Sequence, residues 1–320
     1  MLAELLLATV LTFAASIEAD LQASLGPQVS DVLLVRESTD SIEGGGSGFV
    51  EEERSFFAPT KVSESLGPVI TAQSALVVDR RSGEVLFEKS PEVVRAPASI
   101  TKVMTALVAL QSGVNLDDTI VVSSQAAAMP GASMQLQEGD ELRFGDVLTG
   151  ALVASGNDAA VQLAVSTAGS VDAFVARMNE TASDLGMVHT AYKNPTGLDQ
   201  DGHQTSVVDI ARLFDVALDE PAFLEAIETS GYSAQVQNAE DVRTVVSTNE
   251  LLKSAYPRVI GGKTGFTDDA GYCMVVLSSD DDGNELISVV FGSETSDARF
   301  QDIKALVTWS HSAYSWKESF

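Results

Sequence analysis

Apolar and polar positions divide the chain into a weakly patterned first part and a densely patterned remainder. Residues 74–79 (SALVVD) and 84–88 (EVLFE) are short strand-like runs, and Arg80-Arg81-Ser82-Gly83 between them has the polar and glycine content of a hairpin turn. Residues 98–111 predict a helix with few polar residues beyond its first turn, ended by Gly113. A helix apolar on every side belongs in the middle of a domain. Helical spacing continues over 144–168, 171–185 and 207–218, strand patterns return at 270–278 and 285–292, and a last helix is predicted over 297–315. Strands, then helices, then strands and a helix make an α+β fold with a helical insertion the expected architecture.

The opening of the chain differs. Residues 1–19 hold an apolar run at 5–15 (LLLATVLTFAA) followed by small residues. That is the length of a signal-peptide core and too short to span a bilayer, although only Glu4 precedes it where basic residues are usual. A signal-like or anchoring segment is expected there. Residues 20–68 combine a Gly44-Gly45-Gly46-Ser47-Gly48 run with Glu51-Glu52-Glu53 and little periodicity, the composition of a flexible acidic tether, with a short strand near 32–35. No Lys-Ser or Lys-Thr follows the glycines, so a phosphate loop is not expected. The folded, catalytic domain is assigned to residues 69–320.

Composition narrows the partners. The 320 residues carry 46 Asp and Glu against 19 Lys and Arg, a formal charge of -27, which argues against nucleic acid because phosphate binding needs clustered positive charge. A hydrophobic share of 45% supplies a sizeable core and excludes a wholly disordered chain. Cys273 is the single cysteine, so no internal disulfide can form, and His189, His203 and His311 lack metal-ligand spacing. Neither a metal nor a cofactor is expected.

Three short motifs carry candidate chemistry: Ser99-Ile100-Thr101-Lys102, Ser155-Gly156-Asn157 and Lys263-Thr264-Gly265. Singly, a capping serine, a turn and a lysine-guarded strand edge account for them. Yet Lys102 opens an almost wholly apolar helix, where a charge is costly unless it is paired or used. The i to i+3 spacing also puts the Ser99 hydroxyl and the Lys102 amine on one face, as a nucleophile and its base require. Ser155 and Asn157 are presented at a turn between apolar helical segments, and a strand edge at 263–265 would leave backbone groups free for an extended ligand.

In this order, the three motifs resemble those of the penicillin-recognising serine enzymes. From about Ile70 to Trp309 the chain is similar to the low-molecular-mass penicillin-binding proteins, the serine-type D-alanyl-D-alanine carboxypeptidases. Further blocks in family order are Pro97 to Thr105, Ser155 to Ala160, Asn194-Pro195-Thr196-Gly197-Leu198 and Lys263 to Tyr272. The resemblance implies an α+β fold of the D,D-peptidase and β-lactamase kind: an antiparallel sheet flanked by helices, a helical subdomain beside it, and the active site between. It implies that Ser99 is the nucleophile and Lys102 its base, kept neutral by burial and by the charge of Lys263. Ser155 would relay a proton, and Asn157 would hold Lys102 and meet the substrate amide. Lys263 and Thr264 would bind the terminal carboxylate, and Gly265 would let the substrate backbone approach. The N–H groups of Ser99 and Phe266 would form the oxyanion hole. Arg299 is expected to be either a further carboxylate ligand or a surface ion-pair residue. His203 and Ser206 are read as a structural hydrogen bond and a helix cap, and Cys273 as a packed thiol.

The implied substrate is the peptidoglycan pentapeptide, β-lactams are implied covalent inhibitors, and the implied location is extracytoplasmic. A β-lactamase is disfavoured because no Glu-x-x-Leu-Asn lies between Asn157 and Lys263 and Gly156 replaces the Asp of Ser-Asp-Asn. A D,D-endopeptidase would use the same residues. Transpeptidation is disfavoured by the lack of a large accessory domain, and a non-catalytic wall scaffold by the retention of Ser99, Lys102 and Lys263. The family often continues into a β-rich domain and an anchoring helix. With the chain ending at Phe320, a released enzyme, or one held at the membrane only through the N-terminal segment, is expected.

Overall fold

The computed structural model describes residues 58–254 and 256–316; the apolar run at 5–15, the strand expected near 32–35 and most of the tether lie outside the described residues. The body begins with β1 (Thr60–Lys61), followed by β2 (Ser74–Asp79) and β3 (Val85–Lys89). The turn between β2 and β3 closes as its residues require. Asp79 accepts from the Ser82 N–H and hydroxyl at 2.8 and 2.7 Å, and Gly83 supplies φ 73°.

A 3-10 turn, Ala98–Ile100, leads directly into α1 (Thr101–Leu110). Then come β4 (Thr119–Val121), α2 (Ser124–Ala127), β5 (Glu141–Arg143), α3 (Phe144–Val153), α4 (Asn157–Ala168) and α5 (Val171–Asp184). The middle of the chain closes with α6 (Val207–Ala217), α7 (Pro221–Glu228), β6 (Gly231–Gln235), β7 (Val242–Val246) and α8 (Glu250–Lys253). Long strands β8 (Val259–Thr267), β9 (Gly271–Ser279) and β10 (Glu285–Ser293) precede α9 (Ser296–Ala313) and β11 (Tyr314–Ser315).

Five strands form the main sheet in the order β3-β2-β10-β9-β8, every pair antiparallel. Both faces are buried, which explains the nearly continuous apolar runs of β2, β9 and β10. Ala75, Val77, Met274, Val276 and Val290 pack with Ile303, Leu306 and Val307 of α9, while α6 contacts β2 and β10. Beside the sheet, α1 is buried from Thr101 to Ala109 and touches α3, α4, α5 and α6. The α+β architecture with a helical subdomain is therefore present as expected. β8 ends the sheet, so its outer edge is unpaired within it.

The structure departs from the sequence expectations in places. The helical pattern over 144–168 breaks at the turn expected for Ser155-Gly156-Asn157, in a form not expected: α3 stops at Val153, and Ser155 takes φ 59° before α4 starts at Asn157. Residues 60–68, assigned by composition to the tether, hold β1 paired with β11, a Val62 N–H bond to the Ala313 carbonyl and a Ser65 bond to the Trp309 indole. The short pairs β4–β5 and β6–β7 and helices α2, α7 and α8 were not expected. Each is too short for periodicity to show.

Candidate active site

Three elements converge on one point: the 3-10 turn with α1, the α3–α4 turn, and β8. The 3-10 turn presents half-buried Ser99 and puts Lys102 in the first turn of α1, with Lys102 Nζ 3.0 Å from Ser99 Oγ. Lys102 is fully buried and also donates to Asn157 Oδ1 at 2.8 Å and to the Thr196 carbonyl at 2.6 Å. Burial disfavours its charged form and lowers its pKa to about 7, against an opposing pull from the Asp158 carboxylate. The resemblance had assigned part of that lowering to Lys263. Charge repulsion falls instead on Lys263, whose ammonium is pushed well below its ordinary pKa by burial first and then by Lys102 and Arg299.

The left-handed Ser155 turns its hydroxyl to β8, where Lys263 Nζ donates to Ser155 Oγ at 2.8 Å and to the Thr264 carbonyl at 2.8 Å. Asn157 is held on both sides. Its N–H donates to the Ala132 carbonyl at 2.7 Å, and its side-chain amide donates to the Pro130 carbonyl at 2.8 Å. Asp158 anchors that loop by accepting from Ser133 Oγ, Met134 N–H and Leu136 N–H. The predicted pairs Ser99–Lys102 and Lys102–Asn157 are thus in direct contact, and the structure adds a third, Ser155–Lys263.

On β8 the Thr264 hydroxyl pairs with that of Thr248 at 2.5 Å. Gly265 also meets a packing constraint: a Cβ there would lie 3.1 Å from Ala98 Cβ and 3.2 Å from the Pro97 carbonyl, so the missing side chain lets β8 press against the turn that carries Ser99. Phe266 is 49% exposed and stacks on Tyr272 with ring centroids 4.4 Å apart. Arg299 is 6% exposed, which removes the surface ion-pair alternative. It reaches from α9 to donate to the Gly265 carbonyl at 3.1 Å, with its guanidinium over the Phe300 and Tyr272 rings.

His203 and Ser206 behave as structural groups. His203 Nε2 lies 2.8 Å from Thr101 Oγ1 and its Nδ1 accepts from the Lys193 N–H, while Ser206 caps α6 by accepting from the Asp209 N–H. Cys273 is buried and its thiol is pushed up to about 12 by desolvation, as a packed, unreactive side chain requires. Sequence reasoning did not find the Thr196 carbonyl, Thr248 or the Asp158 anchor. The Asn194 to Leu198 block was the available signal for the first.

This geometry accords with comparisons to known proteins. A family model described as D-alanyl-D-alanine carboxypeptidase matches residues 60–295. The chain belongs to this family. It is 37% identical over 249 residues to D-alanyl-D-alanine carboxypeptidase DacF of Bacillus subtilis, an alignment covering 76% of this chain and 63% of that protein. It is 32% identical over 255 residues to D-alanyl-D-alanine endopeptidase of Pseudomonas aeruginosa, covering 78% and 81%. The crystal structure of the Streptomyces K15 DD-transpeptidase superposes with a TM-score of 0.72 at 27% identity, over 77% of this chain and 99% of that one.

Proposed function

We propose that the chain is a serine D,D-carboxypeptidase that removes the terminal D-alanine from peptidoglycan stem peptides and is acylated by β-lactams. The observation that carries this is the buried Lys102 amine, 3.0 Å from Ser99 Oγ with its pKa lowered to about 7: a base ready at neutral pH beside a nucleophile. Ser99 Oγ attacks the carbonyl of the penultimate D-alanine as its proton passes to Lys102. The tetrahedral oxyanion forms against the N–H groups of Ser99 and Phe266. Loss of one such donor typically costs about 10²- to 10³-fold. The proton taken up by Lys102 is relayed through Ser155, which is bonded to Lys263, to the departing D-alanine amine; Lys102 is then neutral again and takes a proton from the water that hydrolyses the Ser99 ester. Lys263 and Thr264 hold the terminal carboxylate. Arg299 supports this by bracing Gly265 from behind and by adding positive potential to the cleft. Asn157 keeps Lys102 in place and has one amide hydrogen left for the substrate.

A second reading, D,D-endopeptidase, is supported by relatives of that name: the chain is 32% identical to the Pseudomonas aeruginosa endopeptidase and 32% identical to its Escherichia coli counterpart. Action on the cell wall implies a place outside the cytoplasm, with residues 1–19 as signal or anchor and a tether leading to a catalytic domain that begins near residue 60. Among the described residues no single helix is long and apolar enough to cross a membrane.

The test is to incubate the protein and Ser99→Ala with fluorescent penicillin, and to follow D-alanine release from diacetyl-Lys-D-Ala-D-Ala. Labelling and release that both vanish in the variant are expected. Labelling without release on that peptide, but with cleavage of cross-linked muropeptides, would move the assignment to an endopeptidase. A folded wild-type protein that is never labelled would overturn both.

A further inference from the structure

The Asn194 to Leu198 block has no role in the chemistry above, yet it supplies one of the three groups around the Lys102 amine. Of those three, Asn157 Oδ1 and the Thr196 carbonyl can only accept hydrogen bonds, whereas the Ser99 hydroxyl can also donate. A neutral amine has two N–H bonds and one lone pair. Both N–H bonds are claimed by the two obligate acceptors, so the lone pair faces Ser99, as proton abstraction demands. Removing either acceptor would let an N–H rotate toward Ser99 and turn the lone pair away.

The Thr196 carbonyl is itself held. Asn194 Oδ1 accepts from Thr196 N–H at 3.2 Å, Thr196 Oγ1 at 2.9 Å and Gly197 N–H at 2.8 Å, and Asn194 Nδ2 donates to the Leu198 carbonyl and to Gln200 Oε1. The turn is thus wrapped around a single carboxamide. From the other side, Thr105 of α1 donates to the Pro195 carbonyl at 2.7 Å and ties the turn to the helix that carries Lys102. We propose that Asn194 is a positioning residue: by fixing the Thr196 carbonyl it sets the direction of the Lys102 lone pair. This rests on the assignment of Lys102 as the base of a serine D,D-peptidase.

The experiment measures acylation by fluorescent penicillin over a concentration series, separating pre-covalent affinity from the acylation rate constant, for wild type, Asn194→Ala, Asn194→Asp and Thr105→Val. Asn194→Ala is expected to slow acylation roughly 10- to 100-fold, the scale of a small misplacement of reacting groups. Its pre-covalent affinity should stay within about threefold of wild type, since the interaction lost belongs to the chemical step. Asn194→Asp keeps the accepting oxygen and should restore most of the rate. A merely structural role would not produce that rescue. Thr105→Val should slow acylation in the same sense, and it decides the matter if Asn194→Ala shows no cooperative thermal transition. Wild-type rates in Asn194→Ala or, where that variant does not fold, in Thr105→Val would overturn the inference. So would parallel losses of affinity and rate, or an Asp variant no faster than the Ala variant. If the wild-type protein itself is never labelled, the base assignment falls and the inference falls with it, an outcome distinct from a labelled wild type matched by its variants.

Discussion

The two lysines of the site share a charge type and a degree of burial but are prepared for different work. Lys102 meets two acceptors and one hydroxyl, so its neutral form is as well satisfied as its charged form, and desolvation then decides for a pKa of about 7. Lys263 is lowered by burial first and then by repulsion from Lys102 and Arg299, although its bonds to Ser155 and the Thr264 carbonyl and the carboxylate of a bound peptide all favour charge. Because the base is the unprotonated amine, acylation should rise about tenfold per pH unit below 7 and level off above 8. Penicillin labelling rates from pH 5 to 9 would show this. A flat profile in that range would remove Lys102 as the titrating base. Lys102→Ala should lose about 10²- to 10⁴-fold in the same assay, the usual contribution of general base catalysis.

At the scale of elements, the site depends on close backbone approaches more than on side-chain identity. Gly265 lets β8 reach the 3-10 turn, and Gly197 lies against the same turn from the other side: with φ 85°, a Cβ on Gly197 would fall 1.8 Å from the Ala98 carbonyl oxygen and 2.9 Å from the Ser99 nitrogen. Gly197→Ala should therefore destabilise the fold by about 1–3 kcal/mol through backbone strain and displacement, and slow labelling of whatever fraction stays folded. Thermal denaturation beside labelling would detect both effects; an unchanged melting temperature would mean that the turn can move aside. These approaches also explain what was legible in the sequence. Ser99, Lys102, Asn157 and Lys263 could be found because each sits in a short fixed-spacing motif on a strongly patterned element. The break between α3 and α4 was legible as a turn at Ser155-Gly156-Asn157, but the left-handed backbone of Ser155 was not, since no spacing encodes it. It is imposed from outside by the Ala132 carbonyl on the Asn157 N–H and by Lys263 on Ser155. The Thr196 carbonyl was equally hidden, because a main-chain acceptor leaves no residue type to read.

For the molecule as a whole, net charge and buried histidines pull stability in opposite directions as pH falls. The formal charge of -27 strains the compact state at neutral pH, and carboxylate protonation relieves that strain only near the ordinary carboxyl range of about 4. His203 and His311 act earlier. The Nδ1 of His203 accepts from the Lys193 N–H and cannot take a proton without losing that bond, while His311 lies buried 3.8 Å from Asp280 and beside the Trp316 ring. Burial lowers both to about 4, against an ordinary 6.5 in the unfolded chain. Between those values the unfolded chain binds more protons than the folded one, so stability falls with falling pH. For two groups the slope approaches about 2.7 kcal/mol per pH unit. From pH 6.5 to 5, before most carboxylates titrate, the histidines add to the loss that the lowered, buried Lys263 amine also favours. Urea unfolding across that window should show the wild-type free energy dropping steeply, and His311→Gln should reduce the slope by up to about 1.4 kcal/mol per pH unit. A variant that keeps the whole slope would place the acid sensitivity on groups other than His311.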